Sequence, residues 1–246
     1  MIKITAIWRH PIKSHGREAL ERVTLIKGRS MPYDRLWAIA HDAAKIDGTE
    51  WAACQNFSTG SKSRALMAIS ATLDEASETI TLRHPDRPDL TVQPDVDSAR
   101  LVDWVRPLVD ADRAQPAQVF RLDGRGFTDT PYASVSLCNY ASQTALEKLA
   151  DAPLQSGRWR GNIWFEGAPA WEEFNWIGRE LRIGTVRLKV EDRIRRCMAT
   201  TANPQTGLRD VDTLKALNML DHQDFGIYAS IIETGDVACG DQLELV

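Results

Sequence analysis

One cysteine of this chain, Cys197, directly follows a run that contains three arginines. The run reads Asp192-Arg193-Ile194-Arg195-Arg196-Cys197, and a polar segment comes after it. Nearby guanidinium groups favour the thiolate form of a cysteine, which attacks electrophiles and binds soft metals. Asn203-Pro204 and Thr206-Gly207 interrupt regular structure. The sequence therefore predicts that Cys197 lies where a strand enters a loop.

A second interpretation of Cys197 is open at this point. Free cysteines are most often small, inert residues of the core, and the three arginines could be solvated side chains on a strand face. The segment alone does not distinguish a reactive thiol from a structural one.

Three further segments carry side chains of the types that bind anions. They are Pro11-Ile12-Lys13-Ser14, Asp34-Arg35-Leu36-Trp37 and Arg158-Trp159-Arg160-Gly161-Asn162. An ammonium, a hydroxyl and guanidinium forks suit a phosphate or a carbonyl oxygen, and an amide both donates and accepts. Each segment taken alone also has a structural interpretation, as a turn after a proline, as solvated strand residues or as an amide that satisfies a backbone group.

Together, and in this order, these segments resemble those of the MOSC family, which is named for the C-terminal domain of molybdenum cofactor sulfurase. The similarity extends from Pro11-Ile12-Lys13-Ser14, through Arg160-Gly161-Asn162-Ile163 and Cys197, to Gly240-Asp241-Gln242-Leu243. Within the family, the chain most resembles the branch that includes the mitochondrial amidoxime-reducing component and its bacterial relatives.

The resemblance implies a molybdenum cofactor (molybdopterin with bound molybdenum) and a set of residues around it. Cys197 is implied to be the catalytic residue and the thiolate ligand of molybdenum. The residues implied to bind the cofactor are Lys13, Ser14, Arg35, Thr130, Arg160, Asn162, Arg195 and Arg196. Thr130 belongs to this set because the family often places another hydroxyl contact in the Asp129-Thr130-Pro131 segment.

The implied activity is a molybdenum-dependent oxidoreductase that reduces small N-hydroxylated substrates. Some bacterial relatives carry a ferredoxin-like domain, but this chain lacks the cysteine cluster of such a domain. We therefore expect a separate electron-transfer protein as the redox partner. Two alternatives remain open: a non-catalytic cofactor carrier or sulfur-transfer module that uses Cys197, and a β-rich interaction domain in which Cys197 is inert.

The other cysteines, Cys54, Cys138 and Cys239, are scattered and form no Cys-x-x-Cys pair. Zinc and iron–sulfur sites need clustered ligands, so the spacing disfavours both. A reducing compartment would also disfavour disulfides. These three cysteines are therefore predicted to be structural.

Composition limits the classes of partner. The net charge of -4 argues against a general nucleic-acid binder, whose affinity depends on broad neutralisation of phosphates. The first residues form a short alternating run rather than a signal peptide, and no apolar stretch is long enough to span a bilayer. We expect a cytoplasmic protein that binds neither nucleic acid nor membrane.

The elements that must position these residues are mostly strands. Apolar alternation predicts strands near 2–8, 20–26, 35–41, 64–73 and 78–83, and further strands near 119–122, 134–137, 163–165, 180–183, 186–190, 227–232 and 242–246. Helices are predicted to begin after Asp97 or Ser98, at Asn139 and after Asp212.

The predicted fold class is mixed α+β and mostly β. Gln115-Pro116 is interpreted as a domain boundary. The resemblance then implies an N-terminal β-rich MOSC subdomain over residues 1–115, followed by a MOSC β-barrel with a few helices over residues 116–246.

Overall fold

The computed structural model describes residues 1–246, and strands dominate it. The strands are β1 (Ile2–Arg9), β2 (Glu18–Leu20), β3 (Arg22–Leu25), β4 (Trp37–His41), β5 (Ser70–Asp74), β6 (Thr79–His84), β7 (Arg87–Val92), β8 (Pro116–Arg121), β9 (Val135–Asn139), β10 (Ile163–Glu166), β11 (Glu180–Ile183), β12 (Val186–Arg195), β13 (Asp224–Glu233), β14 (Gly235–Ala238) and β15 (Gln242–Leu245). The helices are α1 (Ser98–Val105), α2 (Tyr140–Ala150) and α3 (Thr213–Asn218). The predicted fold class, mixed α+β and mostly β, is confirmed.

Seven strands close into a barrel. Their order is β10-β9-β13-β12-β11-β15-β1, and β1 completes the ring by pairing with β10 from Lys3↔Glu166 to Ile7↔Ile163. All of these pairs are antiparallel except β9 with β10. Side chains from alternate strand positions, among them Leu188 and Ile227, fill the interior as a cluster of 22 buried residues.

A second core of 17 buried residues lies outside the barrel. It packs α1 with the three-stranded sheet β5-β6-β7 and with the β4–β8 pair. Trp37 of β4 is fully buried in this core, and its indole nitrogen donates to Asp95 at 3.0 Å. This part of the fold carries several of the cavity residues described below.

The division predicted between residues 115 and 116 stays a prediction, and hydrogen bonds connect the strands on its two sides. β1 belongs to the barrel together with the C-terminal strands. β8, which begins at Pro116, pairs with β4 from Trp37↔Arg121 to His41↔Pro116. The barrel and the β4–β8 pair therefore each combine strands from both sides of position 115.

All three predicted helix starts are confirmed, and two of them have side-chain capping bonds. The Asn139 side chain accepts from the Ala141 amide at 2.9 Å, and the Asp212 side chain accepts from the Lys215 amide at 2.9 Å. Asp97 precedes α1 but makes no such bond to it. Its carboxylate accepts instead from the Gln93 amide at 3.1 Å.

The strand predicted over 64–73 is wrong in its first half. Residues Arg64–Ala68 form a 3-10 helix, and the strand begins only at Ser70. Leu66, Met67 and Ala68 are buried in succession. A strand alternates its side chains between two faces, so a run buried on every side chain does not fit a strand with one solvent face.

No helix of this structure combines the length and apolar character needed to cross a bilayer.

Candidate functional site

A cavity of about 590 Å³ contains most of the residues predicted for the site. It draws its walls from the first loop of the chain, from the loop before β9 and from the end of β12. The predicted residues that line it are Lys13, Ser14, Arg35, Thr130, Arg160, Arg195, Arg196 and Cys197. Tertiary structure therefore brings together side chains that are up to 184 positions apart, from Lys13 to Cys197.

Lys13 and Ser14 occupy the centre of a tight turn. The amide of His15 donates to the carbonyl of Ile12 at 3.0 Å, and Ser14 has a left-handed φ of 63°. Lys13 is only 3% exposed, and its Nζ atom donates to the Phe127 carbonyl at 2.8 Å and to Asp129 at 2.5 Å. The Ser14 hydroxyl makes no side-chain hydrogen bond within the protein, so it is available to a ligand.

Arg35 is held by a buried carboxylate. Its guanidinium contacts Asp34 and donates to the Arg160 carbonyl at 3.0 Å. Asp34 also accepts from the His10 amide at 2.8 Å. Burial opposes ionisation of Asp34, but the charge on Arg35 and the hydrogen bonds from His10 outweigh it and keep the pKa of this carboxyl well below its usual range.

Arg160 has a left-handed φ of 48° and donates to the Gly16 carbonyl at 3.0 Å. Burial and then the charge on Arg35 lower the pKa of Arg160 to about 9. The side chain of Arg160 makes no ion pair. The cavity therefore has cationic groups whose charge the protein itself compensates only in part, which is the electrostatic condition for binding an anion.

Asp129 is the carboxylate that faces this cationic wall. About half of its side chain remains accessible. Burial would raise the pKa of Asp129, but the charges on Lys13, Arg35 and Arg160 hold it well below its usual range. Asp129 is therefore ionised at neutral pH.

The end of β12 delivers a continuous run of residues to the cavity. The β12–β13 register shifts between Val190 and Asp192 and again between Arg193 and Arg195. Such bulges bend a strand and redirect its side chains. Residues 192–197 consequently all contribute to the cavity lining, and Cys197 lies where the strand enters a loop, as predicted.

The guanidinium of Arg196 donates mainly to backbone carbonyls of the protein. Its Nε and Nη2 atoms donate to the Phe225 carbonyl at 2.8 and 2.6 Å, and Nη1 donates to the Trp159 carbonyl at 2.7 Å. The guanidinium also lies over the Trp159 ring at 5.6 Å. Arg195, in contrast, is exposed, and its side chain has no hydrogen-bond or ion-pair partner.

Cys197 is an exposed, unpaired thiol that faces the cavity. Loss of solvation around the sulfur raises its pKa, and the charge on Asp129 adds to the rise, while the Ala199 amide and Arg196 oppose it. The charge on Arg196 favours the thiolate, as expected, but the loss of solvation around the sulfur outweighs it.

Asn162 is the one predicted residue that does not line the cavity. It is 2% exposed, and its Oδ1 atom accepts from the Ser136 amide at 3.1 Å and from the Ser136 hydroxyl at 2.9 Å. Its Nδ2 atom donates to the Trp8 carbonyl at 3.2 Å. Asn162 thus supports Ser136, which does line the cavity, and the structural interpretation of this amide fits its contacts.

Thr130 lines the cavity but also has partners of its own. Its hydroxyl donates to the Tyr132 carbonyl at 2.6 Å and lies 2.8 Å from the Ser134 hydroxyl. The residue is only 5% exposed. Its contacts hold the loop before β9 in shape and leave little of the hydroxyl for a ligand.

Sequence reasoning missed several cavity residues, of which Tyr228 and Cys54 matter most. Tyr228 lies on β13 opposite Asp192 on one side and Ser136 on the other. Burial, and then Asp129, raise the pKa of Tyr228 above its usual range. Its hydroxyl makes no hydrogen bond within the protein. The only sequence signal was its place in a predicted strand, which says nothing about which neighbours it faces.

No group of three or more His, Cys, Asp or Glu side chains is arranged to hold a metal ion.

Two family models match the chain. The model of the MOSC N-terminal beta barrel domain matches residues 1–129, and the model of the MOSC domain matches residues 125–244. The two matches together span nearly the whole chain.

Curated relatives match at low identity. "Mitochondrial amidoxime reducing component 2" of Homo sapiens is 32% identical over 123 residues, which are 45% of this chain and 36% of that protein. "Molybdenum cofactor sulfurase" of Drosophila ananassae is 28% identical over 156 residues, which are 58% of this chain and 20% of that protein. The matches thus span about a third and a fifth of the lengths of these relatives.

Among solved structures, the YUAD protein from Bacillus subtilis overlaps 100% of this chain and 96% of that chain, at 10% sequence identity and a TM-score of 0.48.

Proposed function

This chain belongs to the MOSC family, and we propose that it binds a molybdenum cofactor in the cavity beside Cys197 and reduces N-hydroxylated substrates with electrons from a separate electron-transfer protein. The observation that carries the proposal is the combination, in one cavity, of an accessible thiol with the cations Lys13, Arg35 and Arg160. The relative named for amidoxime reduction supports the substrate class.

The residues present fit such a cofactor in size and in charge. Sites for cofactors have volumes of about 300–1,000 Å³, and the cavity of about 590 Å³ falls within this range. The cofactor carries an anionic phosphate, and Arg160 offers this cavity a guanidinium that makes no ion pair within the protein. A dithiolene would bring two sulfur ligands to the metal, and the single thiol of Cys197 suits one further position.

The chain's own residues would divide the binding between them. The hydroxyl of Ser14 has no partner within the protein, and the charge of Arg160 has no ion-pair partner. These two residues would hold the phosphate. Cys197 would be the protein ligand of molybdenum. Lys13, Arg35 and Arg196 donate to protein acceptors and would mainly fix the shape and potential of the wall. When bound, the cofactor would supply the two-electron redox chemistry needed to reduce an N–OH group.

The overall reaction consumes two electrons and two protons for each N–OH reduced to N–H, with release of water. Tyr228 presents a free hydroxyl to the cavity, and its raised pKa keeps it protonated at neutral pH. It can therefore donate a hydrogen bond to the substrate oxygen as that oxygen leaves. Asp129 stays ionised and would orient cationic or N–H groups of an amidoxime or hydroxylamine.

The test is metal analysis of the full chain purified from a host that makes the cofactor. We expect about one molybdenum per chain, which Cys197→Ala loses and the matched variant Cys239→Ala retains, because Cys239 does not line the cavity. Reduction of benzamidoxime with electrons from dithionite-reduced viologen should then depend on the bound metal. Absence of molybdenum in the unmodified protein would overturn the proposal.

A second function, a cofactor carrier or sulfur-transfer module, is favoured by one observation, the match to a relative named molybdenum cofactor sulfurase. The same cavity and thiol would serve it. Molybdenum bound through Cys197, but without turnover of several N-hydroxylated compounds, would support the carrier over the reductase.

A further inference from the structure

The cavity contains a second thiol, that of Cys54. Cys54 begins a short 3-10 turn, Cys54–Asn56, and is exposed. It lines the same cavity as Cys197, although 143 positions separate the two residues in the chain. The prediction that Cys54 is structural is not supported by this position, since the residue is neither buried nor packed in a core.

The other two cysteines differ from this pair. Cys138 is fully buried in a small core and lies 3.8 Å from Nη2 of Arg196. Cys239 is half-buried and contacts the Leu20 carbonyl at 3.7 Å. Neither lines the cavity. The fold therefore singles out Cys54 and Cys197 from the four cysteines of the chain.

Cys54 and Cys197 are both exposed and both line this one cavity. The segment that carries Cys54, residues 42–56, contains no strand, and Gly48 is its only buried residue. It is held by the Trp51 indole, which donates to the Thr128 carbonyl at 2.8 Å, by the contact of His41 with the Gln55 carbonyl at 2.7 Å, and by two hydrogen bonds between Asp42 and Gln115. A segment without strand pairing opens at a lower free-energy cost than the packed cores.

We propose that Cys54 and Cys197 form a reversible disulfide across the mouth of the cavity, with glutathione disulfide as the oxidant. The Cys54 thiolate attacks one sulfur of glutathione disulfide and releases one glutathione thiolate. The Cys197 thiolate then attacks the Cys54 sulfur of the mixed disulfide and releases the second glutathione. Two protein thiols are oxidised, one glutathione disulfide is reduced, and the two thiol protons pass to the two glutathione products.

The functional consequence rests on the proposed function. A sulfur bound to Cys54 is no longer a thiolate and cannot coordinate molybdenum. Oxidation would therefore keep the cofactor from binding, and reduction by glutathione would restore the site. The pairing is a modification of the cavity itself, so it links cofactor loading to the thiol–disulfide state of the surroundings.

The experiment uses the full chain, produced in a host that lacks the cofactor and reduced before use. The protein is equilibrated with glutathione disulfide at graded ratios to glutathione, quenched with acid, alkylated, and examined by mass spectrometry. We expect the free thiols to fall from four to two, with a single linked peptide pair that contains Cys54 and Cys197. The product should remain monomeric on a non-reducing gel.

Two variants and one control condition make the test specific. Cys54→Ser should lose the linked pair, while Cys239→Ser should form it at the same glutathione ratio as the unmodified chain. In urea, the pairing should spread over several cysteine pairs, since the native fold no longer selects one. Separate glutathione adducts at Cys54 and Cys197 without a link, or a link that involves Cys138 or Cys239 in the native protein, would overturn the proposal.

The outcome is independent of the proposed reductase because the thiol count needs no molybdenum. A linked pair in a protein that never binds molybdenum would leave the disulfide established and the reductase refuted. Molybdenum-dependent turnover in a chain whose two thiols never link would do the reverse.

Discussion

The Nζ atom of Lys13 lies 2.5 Å from the Oδ1 atom of Asp129, so a turn at the start of the chain is joined to the loop that precedes β9. Lys13 is buried on its other sides and donates to the Phe127 carbonyl. This pair fixes one wall of the cavity in the protein without ligand. A buried ammonium that lost its carboxylate would remain with only one carbonyl partner.

Asp129→Asn should lower the free energy of unfolding at pH 7 by about 1–3 kcal/mol, because it leaves the Lys13 charge without its counter-charge. The folded-state pKa of Asp129 lies below its unfolded value of about 3.9. The carboxylate therefore contributes its full stabilisation above the unfolded pKa, and this contribution decreases below that pH until it is lost as the pH falls through the folded-state pKa.

Urea unfolding of Asp129→Asn and of the unmodified chain, from pH 7 down to pH 3, checks this prediction. The difference between the two should shrink as the solution becomes more acidic. Asp112→Asn is the matched control, since Asp112 is largely exposed and its nearest guanidinium is 3.8 Å away. A difference that stays constant over the whole range would contradict the assigned role.

Arg160→Gln should weaken binding of an inorganic anion to the cavity. Pyrophosphate at about one hundred times its dissociation constant would stabilise the unmodified chain by about 2.7 kcal/mol, and this should appear as a rise in melting temperature. The variant should lose most of that rise, because it removes an unpaired charge from the wall. Arginine and glutamine would have the same left-handed backbone conformation at position 160, φ 48°, so the backbone strain of the variant does not differ greatly from that of the unmodified chain.

Differential scanning fluorimetry with and without pyrophosphate provides the measurement. Arg182→Gln serves as the control, since Arg182 lies on β11, pairs with Glu244 and is outside the cavity. Equal anion-dependent shifts in both variants would show that pyrophosphate binds elsewhere.

Asn162→Ala should reduce stability while leaving the cavity's own ligands in place. Removal of the amide leaves the buried amide and hydroxyl of Ser136 without their acceptor, at a cost of about 1–3 kcal/mol. A double-mutant cycle with Ser136→Ala should give a coupling energy of about 0.5–3 kcal/mol. Molybdenum content per folded chain should change little, whereas a direct contact between Asn162 and the cofactor would make it fall sharply.

Gly161→Ala should be destabilising because the added Cβ would lie 2.5 Å from the Cys138 sulfur. Overpacking of this kind costs about 1–3 kcal/mol. The second substitution Cys138→Ala removes that sulfur and should restore part of the loss, which chemical denaturation of the single and double variants would measure. Additive losses in the double variant would place the strain elsewhere.

The local features of the fold were accessible from sequence because they depend on near neighbours. Asn139 and Asp212 cap helices through bonds to amides two and three positions away, and apolar alternation predicted strands along most of the barrel. The strand prediction for Arg64–Ala68 was wrong, because Leu66, Met67 and Ala68 are buried in succession in a 3-10 helix. Sequence periodicity alone does not report that burial.

The candidate site likewise has features that the sequence predicted and features that it did not. Motif order, through resemblance to a family, predicted Lys13, Ser14, Arg35, Arg160 and Cys197, and the structure places all five on one cavity. The motifs did not predict the direction in which each side chain points. Asn162 turns to Ser136 instead of the cavity, and no local pattern distinguishes the two directions.

The sequence by itself determined the residue types, the strand and helix preferences and the family to which this chain belongs, because all three are contained in the order of side chains. Only tertiary structure decided that β1 closes the barrel against β10, that Cys54 and Cys197 line one cavity, and that the pKa of Cys197 is raised despite its arginine neighbours. The physical reason is that closure, proximity and electrostatic potential depend on distances between groups far apart in the chain, and on how much water is excluded between them.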